Sequence, residues 1–122
     1  MNRKIMMVDD EPEFLETMSK FFIRRDIDFE MAGNCLEALD LQAKGCFDVV
    51  IMDVSMPGMS GLECMTEMKT VQPDLKVIVL TGHASVSSGL IGMKQGAFDY
   101  CLKPVAFEEL FEKILLARQG HN

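Results

Sequence analysis

Five side chains fall where a short apolar run hands over to a polar loop, and their types suit one kind of chemistry. Asp9 and Asp10 (with Glu11) follow the run Lys4–Val8, and Asp53 follows Phe47–Met52. Thr81 follows Lys76–Leu80, and Lys103 follows Ala97–Leu102. Carboxylates gathered at one point repel each other unless something positive sits among them. A hard divalent ion with oxygen ligands answers that need, and Mg²⁺ favours few carboxylates together with phosphate oxygens. Lys103 adds a mobile point charge suited to a phosphoryl oxygen, and Thr81 a hydroxyl for another. Each of these residues is ordinary alone: acidic loops, strand-end threonines and a lysine before proline are all common. The combination, in this order and at these run ends, is far more specific than its parts.

The elements that would position them follow from the pattern. Five short runs (Lys4–Val8, Ile27–Ala32, Phe47–Met52, Lys76–Leu80, Ala97–Leu102) are mostly apolar on both sides, as strands buried on both faces must be. Between them lie helical segments with start signals. Pro12 suits a first helical turn, and Phe14, Leu15, Met18 and Phe22 then recur on one face. Asn34 with Glu37, and Ser60 with Glu63, have capping-box spacing. In the last segment Phe107, Leu110, Phe111, Ile114 and Leu115 make the stripe, while Glu108 and Glu109 suit the helix dipole despite the poor N-cap Ala106. Strict alternation predicts an α/β domain with a parallel sheet covered on both faces. Chemistry in such sheets gathers at the carboxyl ends of the strands.

Composition bounds the rest. The chain has 122 residues, 48% hydrophobic and 25% charged, which reads as one continuous domain over residues 1–122. The net charge of −7 argues against direct contact with nucleic acid or an anionic membrane. No apolar run approaches the roughly 20 residues needed to span a bilayer. The N-terminal apolar stretch ends at Val8 against three acidic residues, too short for a signal peptide. Cys35, Cys46, Cys64 and Cys101 show no CxxC spacing and no nearby histidine, so they are expected as reduced, packed thiols in a cytoplasmic protein. The 11 methionines read as gap-fillers: Met6, Met7 and Met52 in buried strands, Met65 and Met68 with Leu62 on a helix stripe, Met56 and Met59 more exposed.

Over nearly all its length the chain resembles the receiver domains (CheY-like) of bacterial two-component response regulators. The matching stretches are residues 5–11 (IMMVDDE), 49–61 (VVIMDVSMPGMSG), 77–82 and 96–104. The resemblance implies a flavodoxin-like (βα)5 three-layer sandwich with a five-stranded parallel sheet in the order 2-1-3-4-5. It implies that Asp53 accepts a phosphoryl group from a sensor histidine kinase or phosphotransfer protein. Asp10, Asp53 and the backbone carbonyl of Ser55 would bind Mg²⁺, or Mn²⁺ in its place, with Asp9 reaching the ion through water. Thr81 and Lys103 would hold phosphoryl oxygens, Tyr100 would be the aromatic that rotates on activation, and the Lys103–Pro104 bond would be cis. The face of the fourth helix, fifth strand and fifth helix would then control a C-terminal effector domain or a partner. A homodimer through that face is a family expectation without a specific signal here.

Two loop positions are individual to this chain. Ser55 and His83, each two residues beyond a site residue, would flank the path of the water that hydrolyses the phosphoryl group and so modulate its lifetime. The segment 84–96 should form the fourth helix, yet Gly89 and Gly92 each cost about 1 kcal/mol relative to Ala. Either this helix is marginal and mobile, or tight packing there requires small residues. Gly96 makes a good helix stop. The rival functions are weaker. An aspartate-nucleophile phosphatase would have a second Asp where Ser55 stands, and without it hydrolysis is a self-limited switch rather than enzymatic turnover. A flavodoxin-type cofactor module would need a hydroxyl- and glycine-rich loop after the first strand, where Asp9-Asp10-Glu11 would repel a phosphate. A degenerate receiver used only for docking would not retain every residue that phosphorylation requires.

Overall fold

The computed structural model describes residues 3–82 and 86–120. Among these the elements alternate as β1 (Lys4–Val8), α1 (Pro12–Arg24), β2 (Phe29–Ala32), α2 (Cys35–Lys44) and β3 (Phe47–Asp53). Then come α3 (Gly61–Val71), β4 (Lys76–Thr81), α4 (Val86–Lys94), β5 (Asp99–Leu102) and α5 (Phe107–Arg118). The strands form one sheet in the order β2-β1-β3-β4-β5, all neighbours parallel. This is the flavodoxin-like arrangement.

Because side chains alternate across a strand, each strand feeds two cores. Met6, Val8, Val50, Met52, Val77 and Val79 pack with Ala38 of α2 and Met65 and Met68 of α3. Ile5, Met7, Val49, Ile51, Ile78 and Leu80 face Met18 and Phe22 of α1 and Leu110 and Ile114 of α5. The second core is aromatic. Phe107 stacks on Phe21 with ring centroids 4.8 Å apart and meets Phe22 edge-on at 5.7 Å.

The helix starts follow their local chemistry. Ser60 and Glu63 close a reciprocal capping box on α3. Asn34 caps α2 by accepting the Glu37 amide, while the Glu37 carboxylate accepts from Gly33 rather than from the cap itself. Pro12 opens α1, and α5 starts at Ala106 without a side-chain cap. Gly96, at φ 106°, ends the turn after α4.

Several boundaries and contacts differ from expectation. β2 and β5 start two residues late. Asp26 takes a left-handed turn at φ 57° before β2, and the Ala97 amide is still bonded to Gly92 of α4 before β5. β3 and β4 each run one residue further, so Asp53 and Thr81 are terminal strand residues. Leu115 lies on the exposed side of α5, and Ala117 takes the buried place. Met56 is nearly buried, although Met59 is exposed. The expectation of four reduced thiols is corrected: Cys35 and Cys64 form a disulfide between α2 and α3 with Cα atoms 5.7 Å apart. Both side chains sit in the core between those helices, a proximity that their separation of 29 residues conceals. Cys46 and Cys101 are not joined in a disulfide, and burial pushes the Cys101 thiol up to about 11. With two cysteines joined, cysteine usage no longer argues for a reducing compartment. No helix among the described residues is long and apolar enough to cross a membrane.

Candidate phosphoacceptor site

Sheet register gathers the five residues. Val8 pairs with Met52 and Asp53 with Leu80, while Thr81 pairs with Leu102. The next residue of each strand therefore lies on one rim: Asp9 beside Asp53, Thr81 beyond it, Lys103 after Leu102. Asp9 is fully buried, Asp53 is 4% exposed, and Asp10 is exposed. One carboxylate oxygen from each of Asp9, Asp10 and Asp53 lies within 4.8 Å of the others, a cluster that could hold a metal ion.

The Lys103 ammonium bonds Asp9 at 2.7 Å and Glu11 at 2.9 Å, and lies 3.7 Å from an Asp53 oxygen. It also stands 4.6 Å from the centre of the Phe14 ring. Burial pulls the lysine down, but its bonds to Asp9 and Glu11 hold it above the usual range. Asp53 moves the other way for a carboxylate. Desolvation, reinforced by the Asp9 charge, pushes it up to about 6, with Lys103 and the Ser55 amide opposing. That amide donates to Asp53 at 3.4 Å. The Thr81 hydroxyl is buried and has no hydrogen-bond partner among the described residues. A buried orphan hydroxyl is uncommon and calls for a partner. The rim is thus overcharged on its acidic side and short of an acceptor at Thr81. A divalent ion and a phosphoryl oxygen complement both features.

The loop after Asp53 is held from both ends. The Val54 amide bonds Leu80 of β4, and the Gly61 amide returns to the Val54 carbonyl at 2.9 Å. A Cβ on Gly61 would overlap the Asp53 carbonyl oxygen and lie 2.7 Å from its carbon. Glycine alone lets α3 start this close to the end of β3.

The structure brings Asp9, Asp10, Asp53, Thr81 and Lys103 to one rim. It places the exposed Ser55 beside Asp53, and the Lys103–Pro104 bond is cis. Tyr100 lies on β5 away from the carboxylates, packed on the α2–α3–α4 side. His83 lies outside the described residues. Sequence reasoning did not assign Glu11 its bond to Lys103, nor Gly61 its contact with Asp53. The acidic triplet could have suggested the first, and a glycine at a helix start eight residues after Asp53 the second.

A family profile described as response regulator receiver domain matches residues 5–115. The chain belongs to this family and is a receiver domain of the two-component response regulators. The relatives named response regulator MprA include one from Mycobacterium sp. (strain KMS), 37% identical over 111 residues covering 91% of this chain and 48% of that protein. One from Mycobacterium leprae is 35% identical, covering 91% and 49%. The chain spans about half the length of these curated relatives. A receiver domain protein from Clostridium thermocellum superposes with a TM-score of 0.89 at 36% identity, covering 97% of this chain and 95% of that one. Chemotaxis protein CheY4 of Vibrio cholerae superposes with a TM-score of 0.87 at 27% identity, covering 96% and 99%.

Proposed function

We propose that Asp53 is the phosphoacceptor, charged by a histidine kinase or phosphotransfer protein in a metal-dependent reaction. The observation that carries this reading is a nearly buried carboxylate with an ammonium 3.7 Å away and an orphan hydroxyl at the adjacent strand end. An Asp53 oxygen attacks phosphorus and an aspartyl phosphate bond forms. The phosphorus–nitrogen bond of the donor phosphohistidine breaks, with its electron pair returning to the imidazole. Asp53, Asp10 and the Ser55 carbonyl would hold Mg²⁺ or Mn²⁺, with Asp9 acting through water; when bound, the ion neutralises phosphoryl charge and orients the oxygens. Lys103 would turn from Asp9 and Glu11 to a phosphoryl oxygen, and Thr81 would donate to another. Transfer of this kind is mostly positioning and charge neutralisation, so no general base is required.

The protein works as a switch and not as a turnover enzyme, since Ser55 stands where a phosphatase would carry its acid. Steady turnover of phosphate esters would favour the phosphatase instead. Ser55 and His83 set how long the phosphoryl group lasts, and unchanged decay in His83→Ala would remove His83 from that role. The output face is α4, β5 and α5, where Leu90, Ile91, Met93, Leu115 and Leu116 are exposed. An effector domain, a partner or a second copy would meet this face. The domain itself would contact neither nucleic acid nor membrane and would act in the cytoplasm. Incubation with acetyl phosphate and Mg²⁺ should add one phosphoryl group by mass, and Asp53→Asn should abolish the addition.

A further inference from the structure

We propose that Gly89 is a positioning residue whose missing side chain forms the seat of the Tyr100 ring. The role of that seat in switching rests on the phosphoacceptor reading. A Cβ on Gly89 would lie 2.7 Å from Tyr100 Cδ2, 3.0 Å from Cγ and 3.1 Å from Cε2. One edge of the ring therefore lies directly on the α4 backbone. The collision could not be relieved by moving the Tyr100 backbone, which is held on three sides. It pairs with Val79 in the sheet, its carbonyl accepts from Lys113 Nζ at 2.7 Å, and its amide donates to Asp99 at 2.7 Å. On the β5 side only the ring can yield, by rotating about its side-chain bonds.

The direction open to it is set by the sheet. Val79 and Tyr100 share the core on the α2–α3–α4 side, and Thr81, two residues beyond Val79, points to the same side of β4. A ring leaving Gly89 along the strand approaches the unpartnered Thr81 hydroxyl. Gly89 thus stabilises the ring position against α4, and any larger residue shifts the balance towards the other. Gly92, three residues on, serves ordinary packing: the atoms nearest its Cβ would be side-chain methyls of Leu62 and Val79, at 3.2 and 3.3 Å.

The chain has one tyrosine and no tryptophan, so tyrosine fluorescence reports Tyr100 alone. In the unphosphorylated protein, Gly89→Ala should shift that signal towards the one parent protein shows after acetyl phosphate and Mg²⁺. Ser87→Ala, on the exposed side of α4, should leave it at the parent value. A melting cycle gives a second readout that does not depend on the ring signal. Gly89→Ala should raise the melting temperature in a Tyr100→Ala background, where no side-chain atom beyond Cβ opposes the helix-propensity gain, and raise it less or lower it beside Tyr100. An unshifted tyrosine signal in Gly89→Ala, or equal melting shifts in the two backgrounds, would overturn the seat. A parent that takes no phosphoryl group would instead overturn the phosphoacceptor reading, and the unphosphorylated comparison would still decide the seat.

Discussion

Asp53 is held in a state that disfavours its own charge. Its carboxyl titrates at about 6, lifted by desolvation and by Asp9. In the unfolded chain an aspartate ionises near 3.9. Between these values the unfolded chain has released its proton and the native one has not, so stability falls as pH rises through this window. At pH 7 the ionised group costs the metal-free fold about 1–3 kcal/mol. Asp53→Asn should therefore raise metal-free stability at pH 7, with the gain shrinking between pH 6 and pH 4, as urea titrations at several pH values would show. Lys103 is the counterweight. Lys103→Met leaves Asp9 buried without its partner and should cost about 3 kcal/mol, the scale for breaking a buried pair. Asn at position 53 should recover part of that loss, because it relieves the remaining repulsion.

At the scale of elements, α3 is the one most tightly bound to the site. Its start carries two separable devices, a capping box at Ser60 and a close approach at Gly61. Ser60→Ala should cost about 1 kcal/mol and leave phosphorylation by acetyl phosphate close to parent. Gly61→Ala should cost about 1–3 kcal/mol through overpacking and also slow phosphorylation, because relief comes from moving the Asp53 strand end. Equal phosphorylation rates in the two variants would contradict this division. The glycines of α4 were ambiguous from composition alone. Contacts with Tyr100, Leu62 and Val79 give both a packing reason, so small residues there do not by themselves mean a loose helix. Amide exchange in α4 slower than or equal to that in α5 would exclude the mobile reading altogether.

Across the whole molecule, most of the architecture was legible because the central strands β1, β3 and β4 are buried on both faces and read as apolar runs. Asp9, Asp53, Thr81 and Lys103 were legible because each follows such a run. The joining of Cys35 to Cys64 escaped because it depends on a distance between segments 29 residues apart. The approach of Gly61 to Asp53 and the late starts of β2 and β5 are set by local turns that an apolar pattern does not show. Ligand binding should be visible globally: at a Mg²⁺ concentration 100 times its Kd the fold gains about 2.7 kcal/mol, read as a rise in melting temperature that Asp53→Asn diminishes.

The bond from Lys103 to Asp9 joins positions 94 residues apart. It brings the end of the last strand to the end of the first. A chain emerging from the ribosome carries Asp53 and its acidic neighbours long before their counter-charge exists. Such non-local contacts wait on closure of the whole intervening loop. On the phosphoacceptor reading, competence to take a phosphoryl group thus arrives only when the last strand joins the first.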